Sequence, residues 1–304
     1  MTSPTSNMAL ETKHSLKHYF ADRGVDRVLV LIIPALTMML VFFVYPSIYG
    51  IFLSFHPINH SGFLGNYKSF FHDTYMRRTI FNTFRIALPV SIINISAALP
   101  VAVYVRKYVK RTRPINTLLV IPMSLGTVLI AEGLYAYLNP SGWLNQTLMD
   151  VGIISQPLRL LQNFWGVIIS LVISGFPFAF LLMLSYASSI NPSLELAAST
   201  LGANSRQVFR FITFPLLAPG LAITFCLNFV LAFSVFPSAE LLGNPSGDSH
   251  VLAIAAADAV TQKFDYSMAS TISIISAFFE LFVIASVFLL RSKLYSGSTA
   301  GTKG

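Results

Sequence analysis

The sequence predicts an all-α membrane protein with six transmembrane helices, both termini cytoplasmic, and a short helical hairpin on the cytoplasmic side between helices 4 and 5. Three observations predict it. First, apolar residues make up 54% of the 304 and charged residues only 11%, with a mean hydropathy of +0.67. Soluble chains average about 25% charged, so much of this surface must face something other than water, and intrinsic disorder is excluded. Second, six apolar stretches reach the roughly 20 residues needed to cross a bilayer. Third, Lys and Arg lie unequally in the segments between them.

The stretches are Val28 to Phe55, Ile86 to Val105, Ile115 to Leu138, Phe164 to Ile190, Phe211 to Ala239 and Tyr266 to Leu290. Four carry no charge; the third holds Glu132 and the sixth Glu280. They are too long for barrel strands and do not alternate in polarity. Lipid offers no partner for open backbone groups, so they must be helices.

The first 27 residues hold Lys13, Lys17, Arg23 and Arg27 with no short apolar core before the first span, which reads as a cytoplasmic tail, amphipathic near Ser15 to Tyr19, and not as a signal peptide. With that tail inside, the inner segments carry 14 Lys and Arg and the outer ones five, as the positive-inside rule requires. The cluster Arg106, Lys107, Lys110, Arg111, Arg113 weighs most in this. It reads as an anchor on anionic lipid and not as a nucleic-acid site. Prolines at 34, 46, 89, 100, 122, 177, 219 and 237 punctuate the spans, where neighbouring helices satisfy the carbonyls they free.

Chemistry is sparse. No GxxxxGK[ST] phosphate loop, HExxH or GxSxG is present, so neither ATP binding of that type nor catalysis is expected, and no cofactor is assigned to this chain. The single cysteine, Cys226, rules out an internal disulfide and a cysteine metal cage. The pairs His14/His18 and His56/His60 lack a third ligand for a metal.

Loop 191–210 is the most informative. Asn191 can cap a helix that begins with Pro192. Leu194, Ala197, Ala198 and Leu201 then fall on one apolar face. Gly202 suits a left-handed stop, and Asn204 or Ser205 can cap a second helix bearing Arg206 and Arg210. Physics alone would accept an amphipathic connector. The segment nevertheless resembles the signature of binding-protein-dependent ABC importer permeases, E-A-A, three residues, Gly, nine residues, Ile, one residue, Leu-Pro. Ala197, Ala198, Gly202, Ile212 and Pro215 stand at matching positions; Leu196 stands where the signature has Glu, and Phe214 where it has Leu. Glu195 is one residue early, about 100° around the helix. Gly65-Asn66-Tyr67, Asn82-Thr83, Ile121-Pro122, Asn139 to Asn145 and Phe264-Asp265-Tyr266 also look like segments of this family, nearest to its spermidine/putrescine subgroup.

The resemblance implies an importer permease in the bacterial inner membrane. Its parts would be a tail (1–27), a first helix with its outer loop (28–62), a permease core of five helices (63–290) and a second tail (291–304). It implies a second permease subunit, usually a different chain, two ATPase subunits that hold ATP and Mg, and an external solute-binding protein. Loop residues Glu195, Leu196, Ala197, Ala198, Gly202, Ala203, Arg206, Ile212 and Pro215 would couple to the ATPase. A charge near a helix centre must face a partner or water, so Glu280, Glu132 and the in-span Asn228 are candidates for the solute path. The alternatives are pairing of the glutamates with Arg85 or with a partner subunit, a protonated glutamate buried in the bundle, and an interhelical hydrogen bond for Asn228. The outer stretch Leu252 to Val260 could form a helix that meets the binding protein or caps the bundle. A secondary transporter working alone is the competing reading; no repeat between the two halves supports it.

Overall fold

A computed structural model describes residues 27–58, 62–109 and 113–294. The tail, His14, His18, His60, Lys110 and Arg111 lie outside them. The chain divides into residues 1–53 and 54–304. The first unit holds α1 (Arg27–Met39), a π-helical turn (Leu40–Val44) and α2 (Tyr45–Ser54), which ends just past the boundary. The second holds α3 (Gly65–His72), α4 (Thr74–Tyr108), α5 (Arg113–Ser124), α6 (Gly126–Leu138), α7 (Trp143–Asp150), α8 (Phe164–Ser189), α9 (Pro192–Thr200), α10 (Ser205–Val208), a second π-helical turn (Phe209–Thr213), α11 (Phe214–Phe233), α12 (Pro237–Leu241), α13 (Leu252–Thr261) and α14 (Tyr266–Leu294). Each π-helical turn is followed two residues later by a proline, Pro46 or Pro215. A proline has no N–H and crowds the preceding turn, and a locally widened helix absorbs both effects.

Five helices are long and apolar enough to span a membrane: Ile32–Ser54, Thr74–Tyr108, Phe164–Ser189, Ser205–Phe233 and Tyr266–Lys293. The expected third span is not one straight helix. It breaks after Ser124, the two parts bend by 89°, and the pair counts as a sixth span only when taken together. Gly126, at φ +75°, begins the second part. Two other boundaries differ from expectation. α4 starts at Thr74, twelve residues before the apolar run, because Asp73 caps it there by accepting from Tyr75 N (2.8 Å) and the added turns bury Met76, Thr79, Asn82 and Thr83. At 1.5 Å per residue its 35 residues reach about 52 Å, well beyond a ~30 Å hydrocarbon core. The fifth span ends at Phe233, not Ala239, because Pro237 opens a new helix.

α4, α8 and α11 form the centre. Two buried clusters lie along them, one around Ile86, Val90, Val167, Phe229 and Ile272, the other around Ala98, Ala102, Phe180, Met183 and Leu217. In the first, Phe84 meets Phe233 and Phe279 edge-on at 5.1 and 5.6 Å. α13 caps this cluster through buried Leu252, Ile254, Ala255 and Ala259. Elsewhere large apolar side chains point outward, as with Phe278, Leu281 and Phe282 on α14.

A polar layer separates the clusters on α4 and α8. Asn94 Nδ2 donates to Asn228 Oδ1 (3.0 Å), and Asn228 Nδ2 donates to Gly175 O (3.2 Å). The close approach needs Gly175, where an added Cβ would lie 2.5 Å from Asn94 Nδ2. Gly175→Ala is therefore expected to displace Asn94 and cost about 1–3 kcal/mol, as when a buried polar group loses its partner. Thermal unfolding in detergent would show a lower Tm. Gly133→Ala, at a site with nothing within 4 Å, serves as the neutral control.

The polar motifs act as staples. Asn66 Nδ2 donates to Ser267 Oγ (2.7 Å), joining the starts of α3 and α14. Asn82 Nδ2 donates to His250 O (3.1 Å), and Thr83 Oγ1 accepts from Leu252 N (3.0 Å), capping α13 from across the bundle. Asn145 closes the α7 loop by accepting from Leu158 N (2.8 Å). Asp265 caps α14 by accepting from Met268 N (2.8 Å).

Candidate functional site: a helical hairpin and an in-span carboxylate

The hairpin forms as the loop residues dictate. Asn191 Oδ1 accepts from Ser193 N (3.0 Å), and Pro192 opens α9. Gly202, at φ +89°, stops it. Gly202 N donates to Ser199 O (3.1 Å) and Ala203 N to Ala198 O (3.1 Å), the paired bonds of a Schellman termination. Asn204 caps α10 reciprocally: Gln207 N donates to Asn204 Oδ1 (2.9 Å) and Asn204 N to Gln207 Oε1 (2.8 Å).

No residue of α9 is buried. Leu196 and Leu201 are 68% and 89% exposed, with Leu194 and Ala197 also exposed and Ala198 and Ala203 half-buried. Arg206 is exposed; Ile212, in the second π-helical turn, and Pro215 are half-buried.

Glu195 is held differently. Its Oε1 accepts from Arg106 Nη1 (2.7 Å) and from Thr213 Oγ1 (2.8 Å), while Arg106 Nη2 donates to Ile190 O (2.8 Å). Burial alone would push the Glu195 carboxyl up, but these two donors and the nearby Arg106 and Lys107 charges outweigh it and hold the group below the usual range. A lowered folded-state pKa means the contact's contribution is complete above the ordinary glutamate range and is lost only as pH falls through the lowered value. Arg106 is thus not simply a lipid anchor: its side chain is 11% exposed and bound inside the protein. Sequence reasoning missed this pairing, since 89 residues separate the partners.

The solute-path candidates do not come together. Asn228 is 2% exposed and spent on the polar layer, which is the interhelical reading. Glu132, on α6, is exposed. Neither glutamate pairs with Arg85, whose Cζ lies 4.6 Å from the centre of the Phe164 ring. Glu280 Oε1 accepts from Ser234 Oγ (2.8 Å), just past the end of α11. Glu280 lines a cleft of about 280 Å³ together with Ser234, Ala253, Ser273 and Ser276. A carboxylate ringed by hydroxyls and small apolar residues can hold a cation. Among the described residues, no three His, Cys, Asp or Glu side chains gather in a metal-binding array.

Residues 90–295 match the family described as binding-protein-dependent transport system inner membrane component. The chain belongs to this family. It is a multi-pass inner-membrane permease component of an ABC importer, which sets aside the lone secondary transporter. Among relatives, the spermidine/putrescine transport system permease protein PotB of Haemophilus influenzae is 31% identical over 212 residues, 67% of this chain and 74% of that one. The ferric transport system permease protein FbpB of Actinobacillus pleuropneumoniae is 28% identical over 250 residues, 81% of this chain but only 36% of that one. A putative ferric permease, FbpB 1 of H. influenzae, is 26% identical, and the match spans 42% of its length. Two solved structures share the fold. One is a bacterial ABC transporter importing the acidic polysaccharide alginate (TM-score 0.75, 19% identity, 91% of this chain and 99% of that one). The other is a bacterial alginate ABC transporter in complex with alginate pentasaccharide-bound periplasmic protein (TM-score 0.76, 21% identity, 90% and 97%). The hairpin lies inside the matched region of this permease, as do Asn94, Asn228 and Glu280.

Proposed function

We propose that this permease is the membrane gate of an ATP-driven importer for a small cationic solute of the polyamine kind. ATP and Mg sit on two separate ATPase subunits that dock on the α9–α10 hairpin. A second permease subunit completes the path, and an external binding protein delivers the solute. Both termini and the hairpin face the cytoplasm, the side to which the excess of Lys and Arg points. The observation that carries the reading is the hairpin itself. It is a capped, glycine-stopped helical unit whose Leu196 and Leu201 are left exposed by the described residues, at the end of the bundle where α4 finishes. The chain has no phosphate loop, so the work must arrive through such a surface. The PotB similarity and the Glu280 cleft support a cationic solute.

The test is copurification. Leu196→Asp and Leu201→Asp are expected to reduce recovery of the ATPase with the permease at least about tenfold, the loss typical when a buried interface anchor is removed. Recovery of the second permease subunit should be unchanged. Wild-type ATPase recovery with both variants would overturn the docking assignment.

A further inference from the structure

We infer that the Arg106–Glu195–Thr213 junction is the transmission point between the docking hairpin and the solute cleft, with Arg106 as its positioning residue. The inference rests on the proposed function, because it needs an ATPase pushing on α9.

With no buried residue, α9 has little apolar grip on the bundle. What fixes it there is a charge-assisted knot. The planar guanidinium of Arg106, in the last turn of α4, holds Glu195 of α9 with one nitrogen and the Ile190 carbonyl at the end of α8 with the other. Thr213, just before α11, donates to the same Glu195 oxygen. Three chain segments therefore meet at the carboxylate, and Arg106 ties in a fourth, the end of α8, through the Ile190 carbonyl. The side chains of the pair are 11% and 22% exposed, so water screens it little. By contrast, the ion pair Arg78–Asp248 has side chains 65% and 58% exposed at 3.3 Å, the kind that contributes little.

The path onward is continuous. Thr213 leads directly into α11. α11 carries Asn228, bonded to Asn94 of α4, and ends one residue before Ser234, which holds Glu280. A displacement of α9 thus pulls on α4 and α11 together and reaches the hydroxyl that orients the cleft carboxylate. Arg suits this place because its fork makes two bonds in fixed directions, which a lysine ammonium on its flexible stem does not.

The experiment uses the complete complex in proteoliposomes, with Ser276→Cys as a reporter in the cleft and a small maleimide as probe. Cys226 is this chain's one native cysteine and is buried, so the reporter dominates labelling of this subunit, which is read as its own band after the subunits are separated. ATP is expected to change the labelling rate in the otherwise wild-type complex. In Arg106→Gln and in Glu195→Gln, ATP hydrolysis should persist while that ATP-dependent change shrinks by about tenfold, within the span usual for coupling between sites. The double variant should lose no more than either single one, because the pair acts as a unit. Arg106→Lys should fall between. If Arg106→Gln does not assemble, Glu195→Gln, which keeps an oxygen for both donors, and Thr213→Val carry the test. An unaltered ATP response in these variants would overturn the inference. Absence of any ATP response in the wild-type complex would instead overturn the proposed function beneath it.

Discussion

Glu280→Gln is expected to lower kcat/KM for putrescine uptake by at least about tenfold, the equivalent of losing one hydrogen bond to a charged group. The substitution isolates charge. Its amide oxygen can still accept from Ser234, which now donates at 2.8 Å, and its shape fits the same cleft of about 280 Å³. Folding and assembly should therefore be unaltered while the carboxylate's attraction for a cation disappears. Glu280→Asp should retain part of the activity, because the charge persists at a shorter reach. Uptake assays in the reconstituted complex measure both. Wild-type kinetics for Glu280→Gln would remove this residue from the path.

The second large effect is expected at the hairpin turn. Gly202→Val should abolish ATP-driven uptake while leaving membrane insertion intact. An added Cβ meets nothing within 4 Å, so crowding is not the cause. The cause is the backbone, held at φ +89°. Left-handed conformations cost an L residue about 1–2 kcal/mol, and a β-branched side chain more. Relaxing the turn to a permitted φ breaks the bonds from Gly202 N and Ala203 N, and α9 and α10 lose their fixed angle. Gly202→Asn should keep much of the activity, because asparagine tolerates positive φ better than other side chains. Equal uptake by the Val and Asn variants, at equal expression, would sink this explanation.

The parts legible in the sequence are those set by local rules. Long, almost uncharged runs gave the spans, since a lipid-facing stretch too long for a barrel strand must be a helix. Asn191-Pro192, Gly202 and a cap at Asn204 or Ser205 gave the hairpin almost residue by residue, since caps and stops are read within four positions, and the structure selects Asn204. The bend of 89° was not legible. Gly126 lies inside a stretch whose average hydropathy is high enough for one continuous span, so the break leaves no trace in hydropathy. The polar start of α4 was missed because a window tuned to apolar residues ends where arginines begin. Asn228 was read two ways, as a path residue or as an interhelical bond, because only its partner Asn94, 134 residues away, decides between them. Arg106 was assigned to lipid on charge clustering, and only the fold brings Glu195 to it. Polar staples such as Asn66 with Ser267 are likewise pairings across the whole chain that no local pattern announces.

Under the proposed function, this permease is a gate moved by a motor it does not contain. Reconstitution tests it most directly: proteoliposomes holding the purified chain alone are compared with vesicles holding the full set of companions, using labelled putrescine and ATP. Accumulation is expected only with the companions present and only with ATP. Accumulation against a gradient by the chain alone would contradict it.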